Sequence, residues 1–354
     1  MAKLMKAFVM EGIGRTGFMD KPIPEPGPND AIVRTTRALV CTSDVHTVKG
    51  AIGPRQGLTL GHEGVGVIAR LGTEVRGFHE GDRVLTGAIT PCFRCENCQR
   101  GFTSQCSGLL GGWKFANIKD GVFAEYFHVN DAEANLTPIP DRISDEVAVY
   151  CADMLSTGFL GAENAAIPLG GTVAVFAQGP VGLMATVGAR LLGAGLVIAV
   201  ESKPDRQALA RHYGADLIVD PSDGDPVGQI LTATGGIGVD SAIECYGAQA
   251  TFEACIKATR PGGTISNVGY YGHGDSVDIP RVEWGVGMGD KTIRGGLCPG
   301  GRVRMSRLLR LIESGRVDPS HMTTHRIPFS EVDRAVRLME TKEEGIIKPV
   351  IVFP

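Results

Sequence analysis

Between about Thr157 and Gly296, short apolar runs rich in β-branched residues alternate with stretches of helical spacing. Thr172–Phe176, Leu196–Val200, Leu217–Val219, Val239–Glu244 and Gly263–Val268 are predicted strands. Pro180–Leu192, Pro204–Tyr213, Pro226–Thr234 and Ala248–Thr259 are predicted helices between them. A helix between two strands carries the chain back to the edge where the first strand began, so the strands run parallel. Such a sheet is covered on both faces, which is why its strands are apolar on both sides. This stretch therefore predicts a doubly wound parallel sheet.

The N-terminal part has a different texture. Lys6–Met10, Ala31–Val40, Gly64–Leu71, Arg83–Leu85 and Phe123–Val129 are short β-like runs punctuated by Gly and Pro, which predicts a β-rich domain with long loops. The tail carries two amphipathic helix candidates, Arg304–Glu313 and Phe329–Thr341, and a final strand candidate, Ile346–Phe353. With 354 residues, 43% of them apolar, the chain can build two cores. A net charge of -4 with mixed signs argues against a nucleic-acid surface. No apolar run reaches the roughly 20 residues of a membrane span. The first residues lack the apolar core of a secretory signal, so the expectation is a cytoplasmic protein.

Two motifs carry chemistry on their own. Between the first predicted strand and helix of the alternating region lies Ala177-Gln-Gly179-Pro180-Val181-Gly182. A dinucleotide pyrophosphate needs small residues here, so that the chain turns tightly and backbone N–H groups approach the phosphates at a helix N-terminus. Gly179 and Gly182 fill the second and third glycine positions, and Ala177 stands at the first. Glu201 ends the next strand, about 20 residues on, where a carboxylate accepts from ribose hydroxyls and repels a 2′-phosphate. Lys203 lies close enough to offset part of that repulsion.

The second motif is Cys92, Cys95, Cys98 and Cys106, four of nine cysteines in one short window. Four thiolates so spaced close a tetrahedral shell from a single loop, leaving no open position. That is a structural zinc site. An iron–sulfur cluster also takes four cysteines, but the tighter run ending in Cys-Pro is absent. An odd total of nine thiols, four of them clustered, points to metal in a reducing compartment rather than to disulfides.

Other candidates are scattered: Cys41-Thr-Ser43-Asp44-Val-His46, Gly61-His62-Glu63 and Cys151-Ala-Asp153. In this order, with Gly81-Asp82-Arg83-Val84, the four-cysteine lobe and Gly179-Pro-Val-Gly182, they resemble the zinc-containing medium-chain alcohol dehydrogenases over nearly the whole chain. Gly112-Trp-Lys-Phe115, Lys119-Asp-Gly-Val-Phe123, His128-Val-Asn-Asp131 and Gly295-Gly-Leu-Cys-Pro-Gly-Gly301 give a closer likeness to bacterial secondary alcohol dehydrogenases. The resemblance implies a GroES-like β-rich catalytic domain over residues 1–156 and 298–354 and a Rossmann domain over 157–297. It implies a catalytic zinc on Cys41, His62 and Asp153, with Cys151 the rival ligand. It also implies Glu63 beside the zinc and Asp44 orienting His62. Asp153 departs from the Cys₂His pattern of alcohol dehydrogenase.

The implied activity interconverts small secondary alcohols and ketones. Zinc acidifies the alcohol, Ser43 and His46 carry away its proton, and a nicotinamide takes the hydride. Ile89, Trp113, Tyr270, Leu297 and Cys298 would line the pocket, and Lys348 would lie near the cofactor phosphate or ribose. The chain departs from its secondary-alcohol lookalikes in keeping the cysteine lobe and in placing Glu201 where they have a small residue. The cofactor expected is therefore NAD, with NADP the alternative, together with two zinc ions per chain in a homo-oligomer, by family a tetramer. Competing readings are a polyol, acetoin/butanediol or threonine dehydrogenase of the same superfamily, a metal-free quinone reductase, and a non-catalytic cofactor-binding sensor. The zinc ligands argue against the metal-free member.

Overall fold

The computed structural model describes residues 3–272 and 274–354. The chain forms two compact units. One runs to Ser156 and resumes at Cys298, and the other spans Thr157 to Leu297.

Among the described residues, the first unit holds a seven-stranded sheet. Its order is Thr323–Pro328, Lys348–Val352, Ala31–Leu39, Glu63–Leu71, Arg83–Thr86, Leu136–Pro138, with Tyr126–Val129 also paired to Ala31–Leu39. A smaller sheet joins Arg15–Pro22, Leu4–Gly12 and Leu58–Thr59. Arg15–Pro22 escaped the sequence reading because it is a solvated hairpin edge with mostly exposed residues, so the apolar alternation that marks a half-buried strand is missing. The run read as Phe123–Val129 is divided between the two sheets. The Phe123 carbonyl accepts from the Phe8 N–H at 2.7 Å, whereas residues 126–129 pair with Ala31–Leu39.

The core under these sheets is apolar and continuous. It includes Phe8, Leu60, Phe123, Phe127 and the inner face of the helix Val332–Thr341. Phe329 stacks on Phe353 at 4.3 Å between ring centroids and meets Phe18 edge-on at 5.3 Å. In the Gly81–Val84 motif, Arg83 is structural. Its guanidinium donates to Asp145 at 2.6 Å and to the Ile143 carbonyl at 2.9 Å, tying the sheet to the loop that leads to Asp153.

The second unit is a six-stranded sheet, parallel throughout. Its order is Leu217–Val219, Leu196–Val200, Thr172–Phe176, Val239–Glu244, Thr259–Asn267, Thr292–Gly295. Successive strands step outward from Thr172–Phe176 in one direction, then resume on its other side. This is the Rossmann order, and its switch point lies at the carboxyl ends of Thr172–Phe176 and Val239–Glu244. Alternate residues feed opposite faces. Ala174, Phe176, Ile198 and Val200 join one core, and Val173, Val175 and Val197 join the other. The predicted strands and helices of this unit recur within a few residues of their expected ends, as element ends generally do.

Candidate active site

Strand register brings the first cluster together. Leu39 pairs with Glu63 on one side and with Val350 on the other. Cys41, two residues past Leu39, Glu63 with its neighbour His62, and Lys348, two residues before Val350, therefore meet at one end of the sheet. Gly61 precedes His62 at φ +83°, a conformation that favours glycine, and a Cβ there would overlap the Phe123 ring.

Cys41 caps the helix Thr42–Val48, and Asp44 in its first turn makes two bonds. Asp44 Oδ2 accepts from the Cys41 N–H at 2.8 Å, and Oδ1 lies 3.1 Å from His62 Nδ1. The proton on His62 is thereby assigned to Nδ1, which leaves the Nε2 lone pair available to a metal. Nε2 faces Asp153 Oδ2 at 3.2 Å, Ser43 Oγ at 3.5 Å and Glu63 Oε1 at 3.7 Å. One ligand atom from each of Cys41, His62, Glu63 and Asp153 lies within 4.8 Å of the others. Cys151 is fully buried outside this group, and burial pushes its thiol up.

The electrostatics fit a cation. Glu63 is fully buried, its carboxyl pushed up to about 7 by burial and by the charge of Asp153, against the pull of Lys348. Its Oε2 is buried without a hydrogen-bond partner. Burial lowers His62, but the charge of Asp44 and the bonds from Asp153 and Asp44 raise it well above the usual range. A divalent ion would ligate the orphaned oxygen or compensate its charge, and it would take the nitrogen lone pair.

Lys348 has a different partner from the cofactor expected from the sequence. It is fully buried, and its Nζ donates to Glu63 Oε1 at 2.9 Å. This beneath-the-cluster pair is the arrangement that sequence reasoning missed.

The four lobe cysteines also bring their sulfurs within 4.8 Å of one another. Cys106 Sγ accepts from the N–H groups of Cys92 and Gly108, both at 3.3 Å, and Cys95 Sγ accepts from Ser107 N–H at 3.4 Å. Such donors favour thiolates, while burial opposes them, raising Cys106 and pushing Cys98 up to about 12. Hydrogen bonding around Ser107 brings Cys95 down to about 5. Lys114 ties the lobe by donating to the carbonyls of Cys106 and Gly108.

In the second unit, the turn 177–182 leads into the helix Pro180–Leu191, capped by Gly179 with Pro180 and Val181 in its first turn. Ala177 adopts φ +68°, so the chain keeps a left-handed geometry at the first glycine position despite its side chain. Gly182 has no room for a Cβ against the Ala177 carbonyl. Gln178, fully buried, braces the turn. It donates to the Val175 carbonyl at 3.1 Å and accepts from Thr186 Oγ1 at 3.0 Å.

Glu201 Oε2 accepts from Gln178 N–H at 2.9 Å, and Oε1 accepts from the N–H groups of Ser202 (2.9 Å) and Lys203 (3.0 Å). Gln207 bridges the Glu201 carbonyl and the Asp220 carboxylate, so a second acidic group stands at this edge. Of the expected pocket, Ile89 and Cys298 are buried and Trp113 is 38% exposed in the first unit. Tyr270 and Leu297 belong to the second unit, 44% and 42% exposed.

Two ligand clusters predict two zinc ions per chain by elemental analysis. Cys106→Ala and Asp153→Ala should each lose one, and Cys151→Ala should keep both. An unchanged count in Asp153→Ala would remove that residue from the catalytic shell.

Residues 180–314 match the zinc-binding dehydrogenase family, and residues 27–141 match the alcohol dehydrogenase GroES-like domain. The chain is 51% identical over 351 residues to the NADP-dependent isopropanol dehydrogenase of Thermoanaerobacter brockii, covering 99% of this chain and 100% of that one. It is 46% identical over 365 residues to an alcohol dehydrogenase of Cupriavidus necator, covering 99% of each. The alcohol dehydrogenase TADH from Thermus sp. ATN1 has a similar structure, with a TM-score of 0.88 at 32% identity over 99% of this chain and 100% of that one. The metal-ligand clusters, the Rossmann order of the second unit and this full-length similarity place the chain in the zinc-containing medium-chain alcohol dehydrogenase family.

Proposed function

We propose that the protein interconverts small secondary alcohols and ketones, with NAD as its hydride carrier. The observation that carries this reading is the gathering of Cys41, His62 and Asp153 ligand atoms with the orphaned Glu63 oxygen. These residues would hold a catalytic zinc, and the four lobe cysteines a structural one. When bound, zinc supplies Lewis acidity toward the substrate oxygen, and the nicotinamide supplies the hydride acceptor.

The chain's own residues do the rest. Asp44 keeps His62 in the ligating tautomer. Ser43 sits beside His62 Nε2, where its hydroxyl would take the substrate's hydroxyl proton as it releases its own in the direction of His46, one helical turn further. Trp113 and Ile89 shape the substrate space, and their apolar surfaces keep water from the reacting oxygen. An extra methylene changes discrimination only about 10–200-fold, so preference among ketones is graded.

The cofactor reading rests on Glu201 and Asp220. Glu201 is held by three backbone N–H groups, so its carboxylate cannot swing away from an approaching 2′-phosphate. One of its roughly four acceptor sites is left for a ribose hydroxyl. The similarity to the NADP-dependent isopropanol dehydrogenase of Thermoanaerobacter brockii supports the second reading, NADP, with Lys203 facing the phosphate.

Initial rates with both cofactors separate the two. NAD should have the higher specificity constant, and Glu201→Gly should move the ratio about tenfold or more toward NADP, equivalent to about 1.4 kcal/mol. A parent enzyme that prefers NADP would overturn the NAD reading and leave the alcohol dehydrogenase intact.

A substrate panel tests the rest. Propan-2-ol and butan-2-ol should exceed ethanol, butane-2,3-diol and threonine in kcat/KM. Trp113→Ala should lower the propan-2-ol rate about tenfold and shift the optimum to bulkier ketones. The highest kcat/KM with ethanol or threonine would refute the secondary-alcohol assignment.

A further inference from the structure

Asp153 offers two carboxylate oxygens, and their surroundings differ. Oδ2 faces His62 Nε2 at 3.2 Å. Oδ1 accepts from the Cys298 thiol, with sulfur and oxygen 3.7 Å apart. Cys298 is 1% exposed, and the chain that follows it is pinned at two points. The Pro299 carbonyl accepts from Ser156 Oγ at 3.0 Å, and the Gly300 N–H donates to Thr103 Oγ1 at 3.3 Å. Arg304 Nε fixes Ser156 Oγ in turn at 3.2 Å. The thiol is therefore placed by a braced backbone rather than by its own packing alone.

We propose that Cys298 is a positioning residue: its S–H holds Asp153 Oδ1, so that the carboxylate ligates the metal through Oδ2 alone. The inference rests on the reading of Asp153 as the third catalytic ligand. A carboxylate at a zinc ion binds through one oxygen or two, and the second oxygen competes for the position a catalytic site keeps open. A donor on Oδ1 settles that choice before substrate arrives. A thiol is a weak donor, but an ionised acceptor in a water-poor setting strengthens the bond. Hydrogen-bond partners of metal-ligating side chains are worth about 10–100-fold in metal affinity. A pocket wall alone would need only a small apolar residue at this position. The 3.7 Å approach of the sulfur to Oδ1 is what a wall does not explain.

The zinc-loaded protein gives the test. Release of zinc to excess EDTA is followed with a chromophoric chelator, the two ions being separated by their rates. Cys298→Ala should release the catalytic zinc about tenfold faster, with the structural ion unchanged, and Cys298→Ser, which keeps a donor, should stay within about twofold of the parent. Cys298→Val, apolar and larger, carries the same expectation as Ala should Ala not fold. Parent-like release from Cys298→Ala or Cys298→Val, or equal acceleration in Ser and in the apolar variants, would overturn the inference. Asp153→Ala serves as the reference. If it releases catalytic zinc at the parent rate, the ligand reading itself fails. If it accelerates release while the apolar Cys298 variants do not, the positioning role alone fails.

Discussion

Asp44 is the joint on which the candidate site turns. One oxygen holds the N–H of Cys41 and the other holds Nδ1 of His62, so a single buried carboxylate fixes two of the three proposed metal ligands relative to each other. Those ligands come from the end of one strand and the start of its antiparallel neighbour, and Leu39 opposite Glu63 sets the distance between them. The short helix Thr42–Val48 then has its position dictated by Asp44. That helix presents Ser43 to the cluster and carries His46 behind it. A longer side chain at position 44 would move all of these groups together.

Beneath this joint lies an ion pair with no exposed surface, Lys348 and Glu63. Such a pair is weak evidence for stability, because desolvation cancels much of the attraction, whereas removing one partner costs about 3–5 kcal/mol. Its value here is electrostatic. Burial and Asp153 press Glu63 toward its neutral form, and Lys348 opposes them. Oε1 lies between Lys348 Nζ at 2.9 Å and His62 Nε2 at 3.7 Å, and Oε2 is buried without a hydrogen-bond partner. Glu63 is thus held beside the proposed metal position, and Lys348 offsets part of the negative charge there.

The parts of this molecule that were legible from sequence are those whose partners lie close in the chain. The cysteine lobe is one loop, and its spacing alone gives its chemistry. The alternating apolar runs of the second unit give the parallel sheet, because its central strands are buried on both faces. Asp153 was reachable only by resemblance, since no local spacing ties it to Cys41 or His62. The pairing of Lys348 with Glu63 spans 285 residues and depends on the register of three strands, which no pattern of side chains announces. The helix Thr42–Val48 was hidden by its Thr and Val content, and its form depends on the Asp44 bond rather than on propensity. Cys298 read as a pocket residue by resemblance alone. Its donor role emerges only when the Asp153 oxygen is found opposite.

The same reasoning applies to Glu201. From sequence it is a strand-end carboxylate at the ribose position. In the fold it is also a structural clamp, joining the pyrophosphate turn through Gln178 to the start of the next helix through Ser202 and Lys203. A residue with both duties cannot be exchanged for a small one without loosening the turn that receives the phosphates. In the proposed cofactor site, selectivity and order in the turn are therefore coupled. Asp220, tied through Gln207 to the Glu201 carbonyl, adds a second acidic group that the turn does not require. Clamp and charge can thus be separated. The carboxylate of Asp220 caps the turn that follows it, accepting from Ser222, whereas that of Glu201 holds the backbone of the proposed phosphate turn itself.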